Sequence, residues 1–471
     1  MTRPSRSELL AAGGLLALGV VLWALVPTFP NYDAYYHLVW GRELLHGGTP
    51  SFAAYAAPTP HPLYLGLCTV LALMGESADR LLVLITVISH VAFSWAVYRL
   101  GTAVWDRRAG LVAALLAGSS FALLLYAARA YVDVPYLAVV LWAAVLEAEQ
   151  PRRGRRVLLL LALAGLLRPE AWLLAGMYWL YLWYPTRSDR SGNAGPARRA
   201  VLLLLPWVAA APLIWMLVDL LVTGDPFWSL HATSDLAAEL GRDTGLVAAV
   251  KDGVVFVAGT AREPVAAAAV IGLVVAWRRR EARAVHVLVG LTAGGTAAFL
   301  FTSAAGLSVL PRYLTVPAVV LCLLAGYLVT RTRWLMALAV LAGLLFLLVR
   351  SDVLGRLTDE LRFIRTTHDD LQTLVHQPQL TAARRCGAVT LPNYRLVPDT
   401  LWILDASAPE VGARSNDDYV YDTGVALIYT SKKLLKRYGY AAGTPRRTNL
   451  PPAGFHPIAQ SGGFTALKRC P

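Results

Sequence analysis

Residues 27–48, PTFPNYDAYYHLVWGRELLHGG, set an acid, two histidines and an Arg–Glu pair among aromatic residues directly after the first strongly apolar run. A carboxylate in that place has two physical readings. Asp33 opens an expected helix over 33–46, where Asp is a favoured cap; it is equally the kind of group that takes the proton of an attacking hydroxyl. On that helix Ala34, Leu38 and Leu45 share one face and Arg42, Glu43 and His46 the opposite one, the pattern of a helix lying flat on a membrane surface. His37 stands one turn after Asp33. Further along, Asp133 in YAARAYVDVPYL follows Arg129 by four residues, either as an ion pair at a helix boundary or as a second working acid. Arg168 and Glu170 flank Pro169 between two short apolar runs, deep enough that unpaired charge is costly, so they pair with each other or a neighbour, or meet a substrate. Arg312 begins an apolar run after Pro311, beside Tyr313, as a snorkelling interfacial arginine or a phosphate-binding one. TGDPFWSLHATSDLAAELGRDTG adds His231, Asp235, Arg242 and Asp243 on a loop of mixed helical character, where solvated charge is the default.

The elements that must position these groups are membrane helices. The chain has 471 residues, of which 56% are hydrophobic and 15% charged, with a mean hydropathy of +0.52. A soluble chain carries about a quarter charged residues. Expected spans are 8–26, 79–104, 109–126, 134–148, 157–168, 170–184, 200–222, 264–278, 284–303, 313–330 and 334–350, about eleven crossings of an all-α polytopic membrane protein. Residues 62–75 are apolar but short and run straight into Glu76, Asp79 and Arg80, which suits a re-entrant or interfacial helix. The basic N-terminus MTRPSRSELL, with no small-residue cleavage site after it, predicts a retained signal anchor.

Net charge is +13, yet the basic residues lie in short loops between apolar runs, not on one soluble module. That distribution excludes a nucleic-acid partner and expresses topology instead. With the N-terminus in the cytoplasm, every inner loop (WDRRAG, EAEQPRRGRR, YPTRSDRSGNAGPARRA, WRRREARA, RTR) is basic. Asp33, Asp133, the Pro169 turn and 223–263 then face outward, and an odd number of crossings leaves residues 351–471 outside.

Residues 351–471 have ordinary soluble composition. Strand-like runs CGAVTLP, TLWILDA and VALIYT alternate with a helical TSKKLLKRYG, predicting a small extracytoplasmic α/β domain after a transmembrane domain over 1–350. Cys386 and Cys470 lie near its two ends in an oxidising compartment and are expected to pair. Cys68 and Cys322 fall inside apolar runs as inert packing residues. No P-loop, GxGxxG, zincin or Ser-His-Asp motif is present, which argues against a nucleotide-sugar enzyme with a cytoplasmic catalytic domain.

Taken in order, Asp33-Ala34-Tyr35-Tyr36-His37, Pro60-His61-Pro62-Leu63, the MGESADRLL approach to the second span, Asp133 and Pro311-Arg312-Tyr313 resemble the motifs of the GT-C membrane glycosyltransferases. The similarity is to their protein O-mannosyltransferase and aminoarabinose transferase group and covers roughly 8–350. It departs at Ala34, where the O-mannosyltransferases commonly carry Glu, and in lacking a Lys before the Pro-rich turn. The resemblance implies a GT-C fold and sugar transfer from a polyprenyl-phosphate donor to a glycan, lipid or protein acceptor, with inversion, no cofactor and no metal. It implies Asp33 as general base and Asp133 as the second acid. Arg312, Arg129 and His61 would meet the donor phosphate, and Tyr35, Tyr36, His37, Arg168, Glu170, Tyr313 and His231 the substrates. A transporter or lipid flippase is the competing reading; it predicts repeated halves and mid-span ionisable groups, and the sequence shows no repeat.

Overall fold

The computed structural model describes residues 5–188, 194–280, 283–349, 352–416, 420–439 and 446–471. Residues 189–193 of the basic loop expected at 184–200 lie outside the described residues. The first helices are α1 (Arg6–Leu25), α2 (Tyr32–Leu45), α3 (Pro62–Ala72), α4 (Ala78–Val104), α5 (Arg107–Gly118), α6 (Phe121–Ala128) and α7 (Asp133–Glu149). Next come α8 (Arg155–Leu167), α9 (Glu170–Ser188), α10 (Ala194–Leu202), α11 (Leu205–Thr223) and α12 (Trp228–Glu239). The apolar part closes with α13 (Gly245–Ala261), α14 (Glu263–Arg279), α15 (Val285–Ala304), α16 (Thr315–Val329) and α17 (Arg333–Val349), and α18 (Asp352–Val375) leads out of it.

By length and composition, five helices among the described residues can cross a membrane, or seven if each of two bent pairs counts as one span. Helices α7 and α8, with 17 and 13 residues, are shorter than the roughly 20 that a straight crossing takes, so helix length alone does not give eleven crossings. Two expectations change. The span expected at 109–126 is broken, with α5 and α6 meeting at 62°. The expected outer loop 223–263 holds α12 and the apolar α13, which meets α14 at 99°.

Helix α2 is enclosed by protein instead of presenting one face to its surroundings. Residues 34–41 are all buried, because α3 packs on one side and the C-terminal segment on the other. The α2–α3 approach depends on Gly41, where a Cβ would stand 2.7 Å from the backbone of Cys68. The polar end of α2 faces protein too: Arg42 donates to the carbonyls of Leu401 (3.1 Å) and Ala406 (2.8 Å), and Glu43 accepts from Ser51 N at 2.8 Å.

The C-terminal segment adds α19 (Pro378–Ala383), α20 (Val397–Ile403) and strands β1 (Val389–Leu391), β2 (Val411–Ala413), β3 (Gly424–Tyr429), β4 (His456–Ser461) and β5 (Phe464–Arg469). They form one sheet in the order β2-β1-β3-β5-β4. The first three are parallel and the last two antiparallel, with Leu427 opposite Ala466. TLWILDA, expected as a strand, is mostly α20: Pro398 sits in its first turn, where a fixed φ and a missing N–H favour a helix start. Cys386 and Cys470 are disulfide-bonded across 84 residues, and Cys68 and Cys322 are free and buried.

Candidate active site

The segment entering α2 is held from below by polar contacts to its backbone. Asn31 caps α2, its side chain accepting from Asp33 N (2.8 Å) and Ala34 N (3.2 Å) and donating to Arg129 O (2.9 Å). Asp33 is therefore not the cap, and its carboxylate is left for other work. Arg129 neither pairs with Asp133 nor points to a ligand as expected; Nε and Nη2 donate to the carbonyls of Phe29 (2.9 Å) and Pro30 (2.7 Å). Arg80, from the MGESADRLL run, donates to Thr28 O at 2.7 Å. Two arginines thus clamp the turn that presents Asp33.

The Asp33 carboxylate faces Arg312, with Oδ2 to Nη1 at 3.4 Å; the side chains are 27% and 29% exposed. Arg312 belongs to a short 3₁₀ turn, Pro311–Leu314, and its buried Nε has no hydrogen-bond partner. Behind this loose pair lies a tighter one. Arg168, at the C-cap of α8, binds Asp133 at the start of α7 and Glu170 at 2.6 Å. These side chains are 5%, 1% and 5% exposed. Asp133 keeps one buried oxygen without a partner. Tyr313 links the clusters, its ring 5.1 Å from the Arg168 guanidinium and 5.7 Å from that of Arg312.

A tight crevice beside Asp33, too narrow in this structure to admit a water molecule, is lined by Asn31, Ala34, His37, His61, Tyr64 and residues 130–132. His37 is fully buried. Its ring nitrogens lie 2.6 Å from Asp33 O and 2.8 Å from Pro60 O, stapling α2 to the Pro-rich turn. Burial lowers its pKa against the pull of those carbonyls. His61, at φ 41°, stacks on His37 with ring centroids 5.4 Å apart, and its Nδ1 is buried without a partner. Burial, then His37, Arg168 and Arg312, push the His61 pKa well below 6.5. A neutral imidazole offers a phosphate one hydrogen bond but no charge, which is the form the expected phosphate contact of His61 would take.

Three other expected contacts point elsewhere. The Tyr35 hydroxyl lies 3.2 Å from both Asp79 Oδ2 and His368 Nδ1, tying α2 to α4 and α18. The Tyr36 hydroxyl donates to Tyr55 O at 3.4 Å. His231 is exposed and pairs with Asp225 at 2.6 Å. Sequence reading passed over Asn31, although Asn two residues before Asp is itself a capping signal. It also passed over Tyr64 and Tyr131, which nothing in their local sequence marks. Among the described residues no three His, Cys, Asp or Glu side chains are grouped to hold a metal ion.

No protein-family model matches the sequence, and no curated protein sequence matches it. Solved structures do. The crystal structure of the aminoarabinose transferase ArnT from Cupriavidus metallidurans bound to undecaprenyl phosphate superposes with a TM-score of 0.58 at 13% identity, covering 98% of both chains. Its apo form gives 0.52 at 14% identity, covering 97% of this chain and 98% of the other. The chain has the GT-C fold. That fold includes the small sheet domain after the membrane helices, since the match runs nearly end to end. At such identity the likeness is one of architecture, and the reaction must be argued from the side chains above.

Proposed function

We propose that this protein transfers a sugar from a polyprenyl-phosphate donor to an acceptor hydroxyl on the extracytoplasmic face of a membrane, with inversion at the anomeric carbon. The observation that carries this is the meeting of Asp33 and Arg312, 279 residues apart in sequence, as a partly exposed pair with hydrogen-bonding capacity left over. The ArnT structure that shares the fold was solved with undecaprenyl phosphate bound, which supports a lipid-linked donor here.

The chemistry needs few groups. The acceptor oxygen attacks the anomeric carbon as its proton passes to the Asp33 carboxylate. The anomeric C–O bond breaks with its electron pair going to the phosphate oxygen, which leaves unprotonated when positive charge stabilises it. Arg312 supplies that charge: Nη1 faces Asp33, and the unpartnered Nε offers the edge of the guanidinium to a phosphate oxygen. The free oxygen of Asp133 accepts a hydroxyl of sugar or acceptor, and Arg168 and Glu170 hold that carboxylate in place. Arg129 and Asn31 act through Asp33 by fixing its turn. Residues 1–350 form the catalytic membrane domain with a cytoplasmic N-terminus and about eleven crossings. Residues 351–471 form an extracytoplasmic domain that backs α2.

Purified protein incubated with synthetic polyprenyl-phosphate sugars and a panel of glycan, lipid and peptide acceptors should consume at least one donor. A transporter reading takes some support from the two bent helix pairs. It predicts movement of intact donor across vesicles with no loss of the sugar–phosphate bond, so the same assay separates the two.

A further inference from the structure

The turn that joins α6 to α7 is bonded through its carbonyls to three other parts of the chain. Four successive oxygens are each taken by a different side chain. Thr86 of α4 donates to Ala127 O at 2.7 Å, and Thr28 to Ala128 O at 3.0 Å. Arg129 O accepts from both the backbone and the side chain of Asn31, at 2.8 and 2.9 Å. Ala130 O accepts from the Tyr64 hydroxyl of α3 at 2.6 Å. A helix end leaves its last carbonyls without partners in the helix, and a buried one that stays unpaired is costly. Any donor meets that need. Here two of the donors also join the turn to the candidate acids.

Asp33 lies two residues after Asn31, and Asp133 three residues after Ala130. The Asn31 bonds therefore tie the turn to the first acid, and the Tyr64 bond holds the approach to the second. Ala130 is buried at φ 52°, in the left-handed region that costs energy for a residue other than glycine. Contacts from outside the turn must hold it there. Tyr64 is itself 1% exposed, and its ring meets the His37 imidazole edge-on with centroids 5.2 Å apart. Tyr64 and Ala130 line the same crevice as Asp33. Both carboxylates, Asp33 and Asp133, lie near enough to act on the phenol.

We propose that Tyr64 is a positioning residue for the transfer: through Ala130 O, its hydroxyl sets Asp133 at the separation from Asp33 that the reacting groups need. The inference rests on the sugar-transfer reading and deepens it. Without this bond the left-handed turn relaxes. Asp133 keeps Arg168 as its partner, but its second oxygen shifts relative to Asp33. A misplacement of about 1 Å is enough to slow a reaction on the order of a hundredfold, and no group that meets the donor phosphate is lost.

Full-length protein in detergent is assayed with the polyprenyl-phosphate sugar and acceptor that the wild type consumes, and two variants are compared with it. Tyr64→Phe keeps the ring and its packing and loses only the hydroxyl. Thr86→Val likewise removes a hydroxyl that donates to a buried carbonyl of the same turn, at the end away from Asp133. Both should lower the thermal midpoint. Tyr64→Phe should reduce kcat on the order of tenfold to a hundredfold while changing the donor KM by less than about twofold, as when geometry is lost in the transition state alone. Thr86→Val should keep its kcat, since Ala127 O retains the Ala130 N–H at 3.4 Å. Wild-type kcat in Tyr64→Phe, or equal losses of kcat in the two variants, overturns the positioning role. A rise in donor KM as large as the fall in kcat also overturns it, by making Tyr64 a donor contact. A wild type that consumes no donor is a separate failure, which overturns the sugar-transfer reading and this inference with it.

Discussion

Two acid–arginine clusters stand side by side in this protein and differ in almost every physical respect. Asp33 and Arg312 meet at 3.4 Å with more than a quarter of each side chain exposed. Asp133, Arg168 and Glu170 are close-bonded and nearly inaccessible. Exposed pairs contribute little to stability, while a buried pair that loses one partner leaves charge stranded in low dielectric. The loose pair is therefore the one that can exchange partners with a substrate at small cost. The tight cluster is scaffold, with one buried Asp133 oxygen left without a hydrogen-bond partner.

The comparison is broken most directly at its tight end. Arg168→Ala strands two carboxylates and should cost about 3–5 kcal/mol of stability, seen as a large fall in thermal midpoint. A midpoint close to wild type would mean that the triad is not a scaffold. Next in size is Asp33→Asn. Because Asn31 carries the cap, this change should leave the midpoint and donor binding nearly intact. Turnover should nevertheless drop at least about a hundredfold, the lower range of general-base help. Near-normal turnover in a purified assay would move the base to Asp133.

Arg312→Ala should change stability by less than about 1 kcal/mol while weakening donor binding by roughly tenfold or more, as expected for a lost charged hydrogen bond. Unaltered donor affinity in a titration would remove Arg312 from the phosphate site. The smallest effect is on His61, which lies in the field of both arginines. Its pKa is held well below 6.5 in the folded protein, burial being the main cause. Between that value and 6.5 the unfolded chain binds the extra proton, so the stability associated with neutral His61 is present above about 6.5 and lost as pH falls. Arg312→Ala removes one positive neighbour and should raise the His61 pKa. Compared with wild type, the variant should lose less stability on acidification, and parallel stability–pH curves would refute the coupling.

Much of the site was legible because its chemistry is carried by residue types that are rare next to apolar runs. Asp33, Asp133, Arg168, Glu170 and Arg312 each stand out as charge beside membrane spans, and the Arg168–Glu170 pairing follows from two residues flanking a proline. The Cys386–Cys470 bond was legible from the position of the two cysteines near the ends of the C-terminal segment. Other assignments failed for a shared reason: a local pattern could not reveal a distant partner. Arg129 looked like the mate of Asp133 at helical spacing, yet it serves the carbonyls of Phe29 and Pro30, about a hundred residues away along the chain. Tyr35 and Tyr36 flank the catalytic candidate in sequence but project from α2 in other directions, because neighbours on a helix are about 100° apart. The amphipathic reading of α2 foundered on Arg42, whose polar partners are backbone carbonyls and the Asp405 carboxylate of the C-terminal segment.

By itself the sequence determined that this is a helical membrane protein with basic loops and a C-terminal segment of ordinary soluble composition, since hydropathy and charge act residue by residue against lipid and water. Only the tertiary structure decided which acid is loose and which is locked. That distinction depends on burial and on partners supplied by helices far apart in the chain, and those distances have no counterpart in local spacing.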